Sequence, residues 1–233
     1  MTFDEQLFLI ANGHHTAFMD MLMKYNTSSR VWIPFYIALF AGLIYKYGWK
    51  KSLYMLLFIG MAIGAADYIC ASIIRPAFQQ MRPSNPDNPF SQYVTLVNGY
   101  RSGPYGMPSC HASNCFALVS SLIIFTRSRW SMIAMPVWAL FICYTRLYMG
   151  VHYPSDLLVG AAVGITLGSS FAMLGLTIAR RIEWLKANGG YPPIKLRYNN
   201  IVGSYGISLN IGPVAIPMAA LLITLLIGFI IAW

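Results

Sequence analysis

"TRLYMGVHYPSD", residues 145–156, lies between two apolar runs, 131–149 and 156–179, each near the length that crosses a bilayer. About 20 apolar residues span the hydrocarbon core, so this corner falls where one membrane helix ends and the next begins. It nevertheless gathers Arg146, His152 and Asp156. Ionisable groups beside membrane spans are costly and mark sites or partners, so the corner poses a question of function as well as of fold.

Four more runs of similar length, at 31–49, 52–74, 111–127 and 212–233, bring the expected spans to six. With 57% hydrophobic and 10% charged residues, the chain is too apolar for an ordinary soluble domain. The expected fold is therefore all-α: a single polytopic membrane domain over 1–233, with a core at 31–179, a cytoplasmic connection at 180–211 and a last helix at 212–233. The start, 1–28, is different. Its stretch "FDEQLFLIANGHHTAFMDMLM", residues 3–23, is too polar to span and predicts one or two amphipathic pieces lying in the interface. His14 and His15 are adjacent, so they do not face one another on a helix, and no acidic or cysteine cluster joins them; they read as interfacial polar groups. Asp4 and Glu5 replace the basic start of a signal peptide, and no small-residue cleavage site follows, so none is expected. Cys70, Cys110, Cys115 and Cys143 have spacings that fit neither a zinc site nor a disulfide framework.

The net charge of +9 raises nucleic acid as a partner, but its distribution excludes it. If connections alternate sides, Lys46, Lys50, Lys51, Arg127, Arg129, Arg180, Arg181, Lys186, Lys195 and Arg197, ten of the sixteen basic residues, share one side. Cytoplasmic loops carry the excess of Lys and Arg, so the two polar clusters at 75–111 and 145–156 are expected together on the outer face. Within the fifth span Gly160, Gly164 and Gly168 recur every four residues, a pattern that lets membrane helices approach closely. Asp67 lies inside the second span, about two turns before Arg75, and is expected on the same face with a site-supporting role.

Three outer-face clusters carry the chemistry. "RPAFQQMRP" sets Arg75 and Arg82 seven residues apart, on one face if the helix continues to Pro83. "MPSCHAS" places Ser109 and His111 at the start of the third span, where a helix terminus leaves N–H groups free. The opening stretch adds Arg146, His152 and Asp156. Guanidinium forks and a helix N-terminus suit a phosphate. Imidazoles can attack phosphorus or protonate a leaving oxygen. Asp156, four residues after His152, can accept one ring N–H and leave the opposite nitrogen free for attack.

In order, these spacings read R-x6-R-P, P-S-x-H and R-x5-H-x3-D. The chain resembles the type 2 phosphatidic acid phosphatases (PAP2), integral membrane lipid phosphatases whose pattern is K-x6-R-P, P-S-G-H and S-R-x5-H-x3-D. The motifs cover residues 75–156, and the six-span layout extends the likeness loosely over the chain. The resemblance implies His152 as the nucleophile that forms a phosphohistidine, Asp156 as its orienting partner and His111 as the acid for the leaving group. It implies Arg75, Arg82, Ser109, Cys110 and Arg146 around the phosphoryl oxygens, and neither metal nor other cofactor. Three positions depart from the pattern. Arg75 stands for Lys, exchanging a point charge for a planar fork. Cys110 stands for Gly, which would hinder a positive φ and crowd the backbone beside the phosphate, and offers a thiol to alkylating reagents. Thr145 stands for Ser, a mild change.

Histidines at the outer ends of spans suit a substrate whose phosphate enters sideways while its tail stays in hydrocarbon. The 24-residue loop Ser84–Met107 borders the site and is long enough to shape headgroup choice, with Arg101 either meeting a second phosphate or solvated. An outward site in a bacterial inner membrane best suits undecaprenyl pyrophosphate, with lipid A, phosphatidylglycerol phosphate and phosphatidate as alternatives. A transporter would scatter charge along a pathway through several spans, whereas here only Asp67 is deep. A vanadate-dependent haloperoxidase would use the same motifs, but such relatives are soluble.

Overall fold

A computed structural model describes residues 1–188. Every regular element there is helical: α1 (Phe3–Asn12), α2 (Ala17–Asn26), α3 (Ile33–Tyr47), α4 (Trp49–Tyr68), α5 (Arg75–Phe78), α6 (Cys110–Thr126), α7 (Arg129–Tyr148) and α8 (Pro154–Asn188), with short 3-10 turns and a π-helical turn at Ile69–Ile74. Trp49–Phe78, Arg129–Tyr148 and Pro154–Glu183 are long and apolar enough to cross a membrane. A fourth span arises if α2 and α3, bent by 67° across a short break, are taken together. Of the six expected spans, the five that fall among the described residues thus reduce to three or four; the expected last helix, 212–233, lies outside them. The reason is length. At about 1.5 Å per residue, the 15 residues of α3 and the 17 of α6 fall short of the core thickness. Gly48, at φ 77°, ends α3.

α6 sits at the centre, packed along α8. A Cβ added at Gly160, Gly164 or Gly168 would run into the backbone oxygens of Ser109, Ser113 or Ala117 on α6, so only hydrogen fits. Ala112 and Ala117 line the same seam, fully buried, and Ser121 donates its hydroxyl to the Gly168 carbonyl at 3.0 Å. Farther along the bundle Trp32, Phe35, Phe58, Leu122 and Trp138 form the main core, with Trp32 edge-on to Trp138 at 5.7 Å. The outward rows are apolar instead: Leu53, Leu57 and Met61 on α4, and Ile133, Val137, Leu140 and Tyr144 on α7. An exposed apolar row at helical spacing on every long helix is the surface a bilayer solvates.

The amphipathic start does form two helices, but they clasp the bundle. Phe8 is fully buried against Phe90 and Tyr153. Asn12 donates to the carbonyls of Thr95 (3.0 Å) and Tyr148 (2.8 Å) and accepts from Thr95 N (2.9 Å). Asp20 receives the Tyr148 hydroxyl at 2.7 Å and lies 2.7 Å from His15 Nδ1, whose ring covers Tyr148. His14 is exposed, as an interfacial group would be, whereas His15 is built into this network. Half of the alternating polar residues therefore face protein rather than headgroups.

Candidate active site

The C-terminal ends of α5 and α7 meet the N-terminal ends of α6 and α8 at one end of the bundle. Pro76 removes an N–H and would clash with the carbonyl four residues back. The preceding π-helical turn, Ile69–Ile74, widens the helix there and delivers Arg75 to the bundle end. The helix then stops, because Gln79 adopts the left-handed conformation (φ 47°). Arg75 and Arg82 consequently do not share a helix face, as the spacing alone had allowed. Arg82 reaches the site from an extended segment pinned by Arg82 N to Pro104 O (3.0 Å) and Gly106 N to Gln80 O (2.9 Å).

Gly150, at φ 75° with Val94 and Leu96 against its Cα, turns the chain out of α7 and into the loop that carries His152. His152 is 2% exposed. Its Nδ1 lies 3.2 Å from Asp156 Oδ2, and its Nε2 lies 2.8 Å from Arg82 NH1. An arginine only donates and a carboxylate only accepts, so the hydrogen sits on Nδ1 and the lone pair on Nε2. Burial, then Arg82, Arg146, His111 and Arg75, hold the ring well below its ordinary value, so it is neutral at pH 7. Asp156 is held in turn: Oδ2 also accepts from Tyr153 N at 2.9 Å, and its carbonyl accepts from Ser109 N at 3.0 Å. Gly106 makes room for it, since a Cβ there would meet Oδ2 at 2.7 Å and Arg82 Cγ at 3.2 Å.

The three arginines share a pattern. Arg75 NH2 donates to Pro108 O (2.9 Å) and Cys110 Sγ (2.9 Å); Arg82 NH1 donates to Val151 O (2.8 Å); Arg146 NH1 donates to Thr27 Oγ1 (2.6 Å). Each spends a terminal nitrogen on protein, and each Nε–H is buried with no acceptor among the described residues. Burial, then Arg75 and Arg146, push Arg82 down to about 10, which leaves it cationic at pH 7. His111, on the first turn of α6, lies in the field of all three guanidiniums. Two buried cations and the half-buried Arg75, each with an unpaired buried donor, favour a multiply charged oxyanion.

Ser109 caps α6, its hydroxyl accepting from Ala112 N at 3.5 Å. Its own N–H is committed to Asp156, so the N–H groups of Cys110 and His111 are the ones the helix end leaves over. Cys110 begins the helix and is not among the positive-φ residues. The backbone strain expected from replacing a glycine does not arise, because a first-turn helical conformation suits any side chain; the thiol accepts from Arg75. Asp67 makes no ion pair with Arg75 among the described residues. The wide turn intervenes, and Asp67 accepts from Asn114 Nδ2 on α6 at 3.0 Å. Arg101 is exposed and donates through one terminal nitrogen to the carbonyl of Ser84. Thr27, Gly106 and Tyr100, whose hydroxyl lies beside Arg146, carried no sequence signal because their importance is spatial. A cavity of about 290 Å³ adjoins the site, lined by Asp4, Glu5, Gln80, Asn88 and Tyr153, with Gln80 and Tyr153 close in sequence to Arg82 and His152.

Residues 53–180 match the family model of the PAP2 superfamily. A lipid A 4'-phosphatase from Bacteroides thetaiotaomicron is 41% identical over 77% of this chain and 80% of its own. One from Porphyromonas gingivalis is 31% identical over 79% and 77%. An undecaprenyl-diphosphatase from Sulfolobus acidocaldarius is 27% identical over 70% and 73%. Among solved structures, Aquifex aeolicus LpxE superposes with a TM-score of 0.53 at 21% identity, covering 76% of this chain and 96% of that one.

Proposed function

The chain belongs to the PAP2 superfamily, and on that premise we propose that it removes the 4'-phosphate of lipid A at the outer face of the inner membrane. It is an integral membrane phosphatase of lipid phosphate esters. The relative identical at 41% supports lipid A over the undecaprenyl pyrophosphate expected from site orientation, whose named hydrolase is matched at only 27%. The cavity beside Tyr153 supports the same choice, since its amides, carboxylates and hydroxyl, set among apolar surface such as Met81, suit the sugar of a phosphorylated glucosamine disaccharide.

The reaction rests on one observation: His152 Nε2 is unprotonated, oriented by Asp156 and ringed by three arginines with buried, unpaired Nε–H groups. An incoming phosphate draws Arg82 NH1 from Nε2 onto its own oxygens and so uncovers the nucleophile. Nε2 attacks phosphorus as the bond to the sugar oxygen breaks, and that oxygen takes a proton from His111. Burial and the three guanidiniums push the free imidazole down to about 3, so His111 takes up this proton with the incoming phosphate, whose charge offsets theirs. Water then attacks the phosphohistidine while His111 accepts its proton, the N–P bond breaks and inorganic phosphate leaves. Arg75, Arg82, Arg146 and the N–H groups at the start of α6 carry the phosphoryl charge through both steps.

Phosphate release by the detergent-solubilised protein, with EDTA present, tests this on a panel of lipid A, undecaprenyl pyrophosphate, phosphatidylglycerol phosphate and phosphatidate. Lipid A is expected to turn over at least tenfold faster than the others in kcat/KM, which corresponds to about 1.4 kcal/mol. Preference for undecaprenyl pyrophosphate would overturn the substrate assignment, and no release from any lipid would overturn the reaction.

A further inference from the structure

Arg75 and Arg82 lean on the carbonyl oxygens of Pro108 and Val151, but the oxygen that holds Arg146 belongs to a side chain, the hydroxyl of Thr27 at the end of α2. At 2.6 Å this is shorter than the 2.8–2.9 Å contacts that Arg75 and Arg82 make with those carbonyls, as expected for a charged donor on a hydroxyl. The Thr27 backbone is already committed, its N–H donating to Met23 O at 2.9 Å, so the end of α2 fixes where the hydroxyl points. Thr145 Oγ1 stands 3.1 Å from the same oxygen but has the Ile142 carbonyl nearer, at 2.7 Å. Thr27 thus faces the guanidinium chiefly as an acceptor. Because a guanidinium is planar, fixing NH1 also fixes the direction of its Nε–H, and that Nε–H is buried and unpaired in Arg146, which is itself 4% exposed.

We propose that Thr27 is a positioning residue that aims Arg146 at the phosphoryl group, which makes the α1–α2 segment a working part of the active site. The segment reaches the site through other contacts as well. Asp4 accepts from Ser155 N (3.0 Å) and Oγ (2.6 Å) at the start of α8, and Asn12 ties the Thr95 loop to the end of α7. Thr27 differs from these in touching a group that would contact substrate. The inference rests on the phosphatase reading above.

The test uses the full-length protein in detergent, with orthovanadate as the phosphate mimic. Its affinity is followed by thermal shift, and turnover of lipid A is measured in parallel. Thr27→Val deletes the acceptor at constant size, with Thr27→Ala as the second variant should valine impair folding, and Thr27→Ser restores the hydroxyl. The Val or Ala variant is expected to weaken vanadate binding and lower kcat/KM about tenfold, the order expected for one charge-assisted hydrogen bond, with Thr27→Ser within about twofold of the parent. In an Arg146→Ala background, removing the Thr27 hydroxyl should then cost vanadate affinity nothing further. Parental affinity in Thr27→Val or Thr27→Ala, or an equal loss with and without Arg146, would overturn the positioning role and leave Thr27 a mere helix tether. A parent that binds vanadate but hydrolyses no lipid would overturn the phosphatase reading alone; a parent that binds no vanadate would overturn both.

Discussion

His152 is enclosed by charges of one sign on its Nε2 side and by a carboxylate on its Nδ1 side, and its pH behaviour follows from that. Burial and the surrounding cations depress its folded value, so the nucleophile stays unprotonated as pH falls through 6.5. A free imidazole would by then be half inactive. The kcat/KM profile is therefore expected to show no acid limb near 6.5 from the nucleophile. Stability moves the other way. A histidine with a depressed folded value stabilises the native state above its unfolded value of about 6.5, and loses that contribution as pH falls below it. Between pH 7 and pH 5 the melting temperature of the parent should therefore fall more than that of His152→Asn; equal falls would show the ring to be solvated. Gly106→Ala is the steric counterpart. A methyl at 2.7 Å from Asp156 Oδ2 must displace the carboxylate that orients His152, and a shift near 1 Å can cost about 10²-fold in rate. Parental kcat in this variant would mean that the carboxylate is not needed where it stands. His111, His152 and the three arginines that the structure brings together were legible as spacings within 75–156. Gly106, Thr27 and Tyr100 were not, because each acts on a residue remote in sequence and belongs to no periodic pattern.

At the scale of elements, the contact of α6 with α8 decides how closely Ser109 and Asp156 approach. The four-residue glycine repeat announced that contact, and the structure gives its reason, since the backbone oxygens of α6 occupy the space a side chain would need. Gly164→Val is expected to lower the melting temperature in detergent by several degrees, overpacking costing about 1–3 kcal/mol. Gly60, where a Cβ meets nothing within 4 Å, is the control: Gly60→Ala should be neutral or stabilising. If both variants melt alike, the seam does not hold the bundle. Other elements were less legible. Hydropathy marks apolar length, so it found α4, α7 and α8, but it also promoted α3, which ends at Gly48, and α6, whose 17 residues match the apolar run yet fall short of the core thickness. It could not foresee the π-helical turn, which comes from Pro76 acting on the preceding turn, or the stop at Gln79, and so it set Asp67 with Arg75, and Arg75 with Arg82, on shared helix faces. The amphipathic start was recognised, but alternation of polar and apolar residues does not say whether the polar ones meet headgroups or, as with Asn12 and Asp20, other protein.

For the whole molecule, the site lies at one end of the bundle, while Lys46, Lys50, Lys51, Arg127 and Arg129 flank the helix connections at the other. By the positive-inside rule we propose that the site faces outward. In a Cys110→Ser background, a membrane-impermeant maleimide should label Asp87→Cys from outside intact cells whose outer membrane has been opened. Arg129→Cys should react only after full permeabilisation; the reverse order would invert the protein. Substrate choice is also a property of the assembled molecule. If the cavity beside Tyr153 takes the sugar, Gln80→Ala should raise KM for lipid A about tenfold, as loss of a polar contact to a bound group would, without changing turnover of p-nitrophenyl phosphate. A parallel loss on both would move Gln80 into the phosphate site.

The covalent step itself can be observed. p-Nitrophenyl phosphate has a leaving group that departs without acid, so in His111→Ala the phosphoenzyme should form but break down slowly. With 32P substrate, the protein should hold label that is stable to base and labile to acid, and peptide mapping should place it on His152. Label that survives acid, or that maps to any residue other than His152, would contradict hydrolysis through a phosphohistidine at this position.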